Sequence, residues 1–260
     1  MIGRLVRHQL RNVLRSRWVF ALTGFFLVFT EVIYQASGSA AGMEVTLMSV
    51  VLIVLPLFSV VYGTMYVYGS REFLEVLAAQ PLRRRDIYFS SWLVVTGAIG
   101  GCFLVGSGVP LIAHRIGDGA LGGPLMLLAS GLFLTVIFTS IAFAVAIRVH
   151  DRTRGMGVAL LLWFFFALLY DGVVLFAFYA LADYPVEPLA LAFSFLNPVD
   201  LARILLTLQF DVSALMGYTG AVYQRFFGGA VGMLLSAAAL TVWTVIPLWM
   251  GKRFFARTDF

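Results

Sequence analysis

Two acidic residues interrupt long apolar runs of this 260-residue chain, and any chemistry is first sought there. Glu31 lies in Phe29-Thr30-Glu31-Val32, and Asp171 in Phe165-Phe166-Ala167-Leu168-Leu169-Tyr170-Asp171-Gly172. An ionisable group among hydrocarbon is costly unless it faces water, a cavity or a partner, so each is a functional-site candidate. Asp171 is the deeper, and burial is expected to keep it protonated, as a hydrogen-bond donor. Glu31 is nearer the end of its run, within reach of headgroups. Asn197-Pro198 reads as a helix N-cap followed by proline at the first helical position, with Asp200 third, where its charge suits the helix dipole. Glu31, Asp171, Asn197 and Asp200 are thus the candidates for lining a transport pathway. His8, His114 and His150 fall at the edges of apolar runs and read as interfacial side chains rather than ligands. No phosphate-binding GxxxxGK[ST] occurs: the one lysine, Lys252, is followed by Arg253. HExxH and GxSxG are absent too. The single cysteine, Cys102, allows neither an intramolecular disulfide nor a CxxC site. The expectation is a chain that is not an enzyme and binds no metal or cofactor itself.

The elements holding these residues follow from composition. Hydrophobic residues make up 61% and charged residues 12%, with a mean hydropathy of +0.96. Soluble domains run near half apolar and about a quarter charged. A soluble core of this size would leave too little polar side chain to coat it, and disorder needs the opposite composition. A bilayer core of about 30 Å needs about 20 apolar residues per helix. Six segments qualify: 18–36, 45–69, 92–114, 124–148, 155–181 and 228–250. They are too long and too uniformly apolar for barrel strands. The expected fold is therefore an all-α membrane protein of six transmembrane helices, one domain over 1–260. Pro56, Pro110 and Pro247 fall inside spans and should kink them.

Orientation follows from the basic residues. With the N-terminus in the cytoplasm, 15 of the 18 Lys and Arg lie inside, and Arg115, Arg203 and Arg225 outside. Positive residues favour the cytoplasmic side, so both termini are expected there. The isoelectric point near 9.6 then reflects contact with anionic headgroups, not nucleic acid. Trp18, Trp92 and Trp249 are expected at the inner interface. The small residues Ala36-Ser37-Gly38-Ser39-Ala40 mimic a signal-peptide cleavage site. However, the run Trp18–Tyr34 exceeds the roughly 7–15 residues of a signal, so the first span is expected to be retained.

Three connections stand out. Residues 2–17 carry apolar and arginine stripes at helical spacing, an amphipathic helix for the inner interface. In residues 70–91, Ser70 can cap a short helix, Glu72 suits its N-terminal end, and Pro81 should stop it. Such a helix serves equally as a solvated connector or as a docking surface for a soluble partner. Residues 182–227 are too apolar for an extracellular domain. They are expected to form short helices that lie on or dip into the outer leaflet, either capping the bundle or lining an exit pathway.

The segment Arg71-Glu72, Leu74-Glu75-Val76-Leu77, Pro81-Leu82 and Arg84-Arg85-Asp86-Ile87 resembles the first cytoplasmic loop of ABC-2 type transporter permeases. Phe73 stands where that family usually has Gly-Thr, and the loop is shorter. Leu14-Arg15-Ser16-Arg17-Trp18, Leu162-Trp163-Phe164 through Tyr170-Asp171, and Leu196-Asn197-Pro198-Val199-Asp200 resemble the NosY-like branch, which serves copper-site maturation of nitrous oxide reductase. The resemblance implies an ABC-2 exporter-type fold in the bacterial inner membrane. It also implies a coupling helix formed by Arg71, Glu72, Phe73, Leu74, Glu75, Leu77, Pro81 and Arg84, a separate ABC ATPase subunit carrying ATP and Mg, a second permease chain in a homodimer, and a periplasmic accessory protein. The alternative from the residues alone is an ATP-independent secondary carrier using Asp171 and Glu31.

Overall fold

The computed structural model describes residues 10, 13, 16–78, 83–115, 121–181, 186–210 and 229–257. The described residues are helical throughout, without a strand. The elements are α1 (Arg17–Ser37), α2 (Ala40–Gly69), α3 (Arg71–Ala78), α4 (Arg84–Phe103), α5 (Val109–Arg115), α6 (Gly122–Arg148), α7 (Arg152–Phe164), α8 (Tyr170–Ala180), α9 (Val186–Phe195), α10 (Pro198–Gln209) and α11 (Ala230–Arg257). A π-helical turn, Leu104–Gly108, joins α4 to α5, and another, Phe165–Leu169, joins α7 to α8.

Six helices are long and apolar enough to cross a membrane: Arg17–Ser37, Gly42–Gly69, Arg84–Arg115, Gly122–Arg148, Arg152–Ala180 and Val231–Arg257. The third starts at Arg84 rather than 92, and the sixth ends at Arg257 rather than 250. Apolar runs mark hydrocarbon depth, whereas the helix continues through Arg84, Arg85, Lys252 and Arg253, whose charged ends reach out to water. Trp92 sits two turns inside its helix, half-buried, and donates from Nε1 to Ser140 Oγ of α6 at 3.0 Å. Trp18 and Trp249 are exposed, the latter under the Arg253 guanidinium at 3.7 Å. The N-terminal amphipathic helix, with His8, lies largely outside the described residues; Val13 is buried against Val94 and Ala98.

Local chemistry sets the breaks. Gly38 adopts φ 65°, the left-handed conformation that closes α1, and its N–H donates to Tyr34 O. Ser39 then caps α2, its Oγ accepting from Gly42 N at 3.1 Å. Pro110 lacks the N–H that the Gly106 carbonyl would take, and the first π turn falls there. Pro56 weakens the ladder of α2, and Trp163 Nε1 donates to the nearby Ile53 carbonyl at 3.0 Å.

α6 is the central helix, packed against α2, α4, α7, α10 and α11. A Cβ on Gly63 would approach Ala142 Cβ to 2.9 Å, so α2 and α6 meet nearly backbone to backbone. Burial reaches 67% in α6 and 61% in the α4–α5 span, but only 17% in α1, 17% in α7–α8 and 22% in α11. Those three helices present their apolar faces outward, to lipid or to another subunit.

Candidate functional site

The bundle has two dissimilar ends. At one, Ser70 joins α2 to α3, and Ser70 O accepts from Leu74 N at 2.9 Å. Apolar residues three apart give α3 two opposite faces. Leu74 and Leu77 are buried, packed into the core beside Val67, Ala146, Ile147 and Phe255, whereas Glu72, Phe73 and Val76 are exposed. The eight-residue helix is thus anchored by one stripe and offers the other outward. Arg71 donates to His150 O at 3.0 Å, and Arg84, on α4, to Ala256 O at 3.5 Å. Pro81 and the side chain of Glu75 lie outside the described residues.

The opposite end carries the intramembrane carboxylates, each beside a nitrogen-bearing side chain. Glu31 Oε2 lies 3.0 Å from His114 Nε2, and the His114 ring stacks on Tyr34 with centroids 3.6 Å apart. Arg115 Nε donates to Glu44 Oε1 at 2.7 Å. Glu44 is 2% exposed, and a Cβ on Gly123 would fall 2.5 Å from its Oε2, so glycine makes room for the carboxylate. The sequence reading missed Glu44 because it falls one residue before the apolar segment beginning at 45, and its partner comes 71 residues later. Their charges, at the facing ends of adjacent segments, were the only available signal.

The third set is the deepest. α9 and α10 form a re-entrant pair: α10 begins at Asn197 beside Phe166, some 14 residues into the fifth span, and returns until Gln209 reaches Gly122. At 1.5 Å per residue, Asn197 sits about 20 Å from the start of that span, near mid-depth. Asn197 Oδ1 accepts from Val199 N at 3.0 Å, the expected N-cap. Its Nδ2 donates to Phe166 O at 2.9 Å, satisfying a carbonyl of the second π turn. Tyr170 donates to Phe193 O at 2.6 Å and Trp243 to Phe195 O at 3.0 Å, tying α8 and α11 to the end of α9. Above Asn197, Arg203 donates to Asp171 Oδ2 at 2.7 Å and to Asp200 Oδ1 at 3.3 Å. Asp171 therefore accepts from a guanidinium that lies 32 residues away, on the re-entrant helix. One arginine between two carboxylates leaves one net negative charge when both are ionised. Glu31, Asp171, Asn197 and Asp200 do not form one cluster: Asp171, Asn197 and Asp200 converge at α10, while Glu31 stands apart at α1.

A six-span helical bundle with a two-faced helix at one end and a re-entrant pair at the other defines a polytopic membrane protein. The chain belongs to the ABC-2 family of transporters: the family model described as ABC-2 family transporter protein matches residues 4–260. It is 27% identical to the probable ABC transporter permease protein NosY of Pseudomonas aeruginosa, over 96% of this chain and 94% of that protein. It is 24% identical to the probable ABC transporter permease protein NosY of Stutzerimonas stutzeri, with the same coverage. The chain is thus an ABC-2 permease of an ABC transporter, NosY-like, and that membership implies an ABC ATPase partner.

Proposed function

We propose that this chain is the non-catalytic transmembrane subunit of an ATP-driven transporter, one transmembrane domain over residues 1–260. ATP and Mg bind a separate ATPase subunit seated on α3, and closure of the ATPases moves α3. That motion switches the bundle between two packings, so nucleotide acts through its different affinity for the two states. The single observation that carries the reading is α3 itself. Its buried Leu74 and Leu77 make it part of the bundle, while its exposed Phe73, Val76 and Glu72 remain for a partner. Arg71 and Arg84 flank it; Glu75 and Pro81 complete the coupling segment.

The basic residues favour the α3 end as cytoplasmic, in the bacterial inner membrane with both termini inside. A second copy of the chain as homodimeric partner is supported by the α7–α8 face. Asp171 is 45% exposed in its side chain on that face, little more than one helical turn beyond Phe166. A charge there is unfavourable against lipid, so this face fronts a second permease chain and the pathway between them. Asp171, Asp200 and Asn197 line the pathway from within, with Glu31 nearer its mouth. The resemblance of residues 14–18, 162–171 and 196–200 to the NosY-like branch favours a place in copper-enzyme (nitrous oxide reductase) maturation, alongside a periplasmic accessory protein. The work done across the membrane is either substrate movement or transmission of the conformational change itself.

The test is co-purification with the separately encoded ATPase in lipid nanodiscs. Val76→Glu, and charge reversal of Glu72, are expected to weaken the complex and lower ATP-driven activity while the permease stays folded. Unchanged binding in both variants overturns the docking role of α3. The rival secondary carrier instead requires proton-coupled flux without ATP, abolished by Asp171→Asn. The pairing of Asp171 with Arg203 and of Glu31 with His114 speaks against two lone proton sites.

A further inference from the structure

Protein interiors hold few voids larger than a water molecule, yet α1, α2 and α4 leave a large one between them. Its volume is about 280 Å³, and it is lined by Trp18 and Phe25 of α1, Phe58 and Tyr62 of α2, and Ala98 and Cys102 of α4. An apolar cavity of about 150 Å³ already stays dry and takes a benzene molecule. The few polar atoms here are engaged elsewhere. Cys102 Sγ donates to Val19 O at 3.5 Å, and the Tyr62 hydroxyl bonds the Ser16 side chain. The space therefore suits hydrocarbon rather than water.

The walls give the cavity a direction. At its back, Ala98, Ile99 and Cys102 are buried, whereas Trp18, Ala21 and Phe25 on α1 are exposed. One end is closed by aromatic rings: Phe58 lies edge-on to Phe25 at 5.5 Å between centroids and to Phe26 at 6.1 Å. Towards the α3 end, Val13 is buried against Val94 and Ala98, with Val19 and Tyr62 packed on them. With both ends closed, the cavity opens sideways, to the bilayer. From Trp18 to Phe25 is seven residues, about 10 Å along the helix. That length fits within the roughly 15 Å of hydrocarbon in one leaflet.

Charge marks the mouth. Arg17, the first residue of α1, is exposed beside Trp18. The first 30 residues carry five arginines and no acidic residue. We propose that this cavity is a lipid site, holding one acyl chain of an anionic phospholipid from the leaflet at the α3 end, with its phosphate at Arg17. Trp18 then stands at the headgroup level, where an amphipathic indole is favoured. The site is independent of the docking role of α3.

The test is native mass spectrometry of the full chain released from membranes of equal phosphatidylglycerol and phosphatidylcholine. One phospholipid per chain is expected to stay bound, phosphatidylglycerol about fivefold over phosphatidylcholine. Ala98→Phe fills the cavity from its back wall and should abolish retention. Ala21→Phe fills it from the exposed rim, where folding is not at stake, and should do the same. Arg17→Gln should keep the lipid but level the two headgroups. Retention unchanged in Ala21→Phe would place the lipid elsewhere on the surface and overturn the inference. So would equal retention of both headgroups by the unaltered chain. If the filled variants instead lose association between two copies while lipid counts stay the same, the cavity serves a second chain and the inference fails.

Discussion

At the residue scale, the decisive groups are carboxylates whose neighbours define their roles. Glu44 is buried with Arg115 over it, and removing one member of a buried pair leaves the other charge poorly compensated. Glu44→Ala is therefore expected to lower stability by about 3 kcal/mol, read as a reduced thermal midpoint in detergent. Asp200 differs in sharing its cation, since the Arg203 guanidinium also serves Asp171. Asp171 could be picked out from its sequence because charge in an apolar run is conspicuous. Its partner could not, because Arg203 reaches it only once α10 folds back into the membrane.

At the element scale, short helices were readable where their caps and stripes are local. Asn197-Pro198 named its own N-cap, whereas the buried face of α3, with Leu74 and Leu77, is seen only in the folded bundle. The π turns were not readable, since they depend on neighbours: Thr30 Oγ1 donating to Ser107 Oγ at 3.1 Å in one, and Asn197 donating to Phe166 O in the other. Asn197→Ala removes a cap and a side-chain donor to the part-buried Phe166 carbonyl. Loss of the cap costs about 1 kcal/mol, and loss of the second hydrogen bond about 0.5–1.5 kcal/mol more. The expected local readout is faster amide exchange in α10 and Phe165–Leu169 with α3 unaffected. The two faces of α3 should also separate. Leu74→Ala, at a buried site, is expected to cost about 2–4 kcal/mol. Phe73→Ala should stay within about 0.5 kcal/mol in stability yet weaken ATPase binding by about 1–2 kcal/mol. Equal effects on stability would contradict the assignment of faces.

At the scale of the whole molecule, the number of spans and their order followed from length and hydropathy, because hydrocarbon thickness fixes how many apolar residues a helix needs. Which helices fill the centre did not follow. The nearly uniform apolarity of α2 and α6 hides the face each presents, and only close approaches such as Gly63 to Ala142 reveal it. The outward faces of α1, α7–α8 and α11 leave the bundle with surface for lipid or for another subunit. Reporter fusions test the assigned orientation: one placed after Arg257 should be cytoplasmic, and one inserted near position 212 external.

The central claim is that this chain gates the membrane and draws its driving energy from another subunit held at α3. The most direct measurement is ATP hydrolysis in proteoliposomes containing the permease alone, the ATPase alone, and both together. No hydrolysis is expected from the permease alone. Hydrolysis by the pair should differ from that of the ATPase alone, and Val76→Glu should erase the difference. Hydrolysis, or ion-driven cycling, by the permease with no companion protein would contradict the claim.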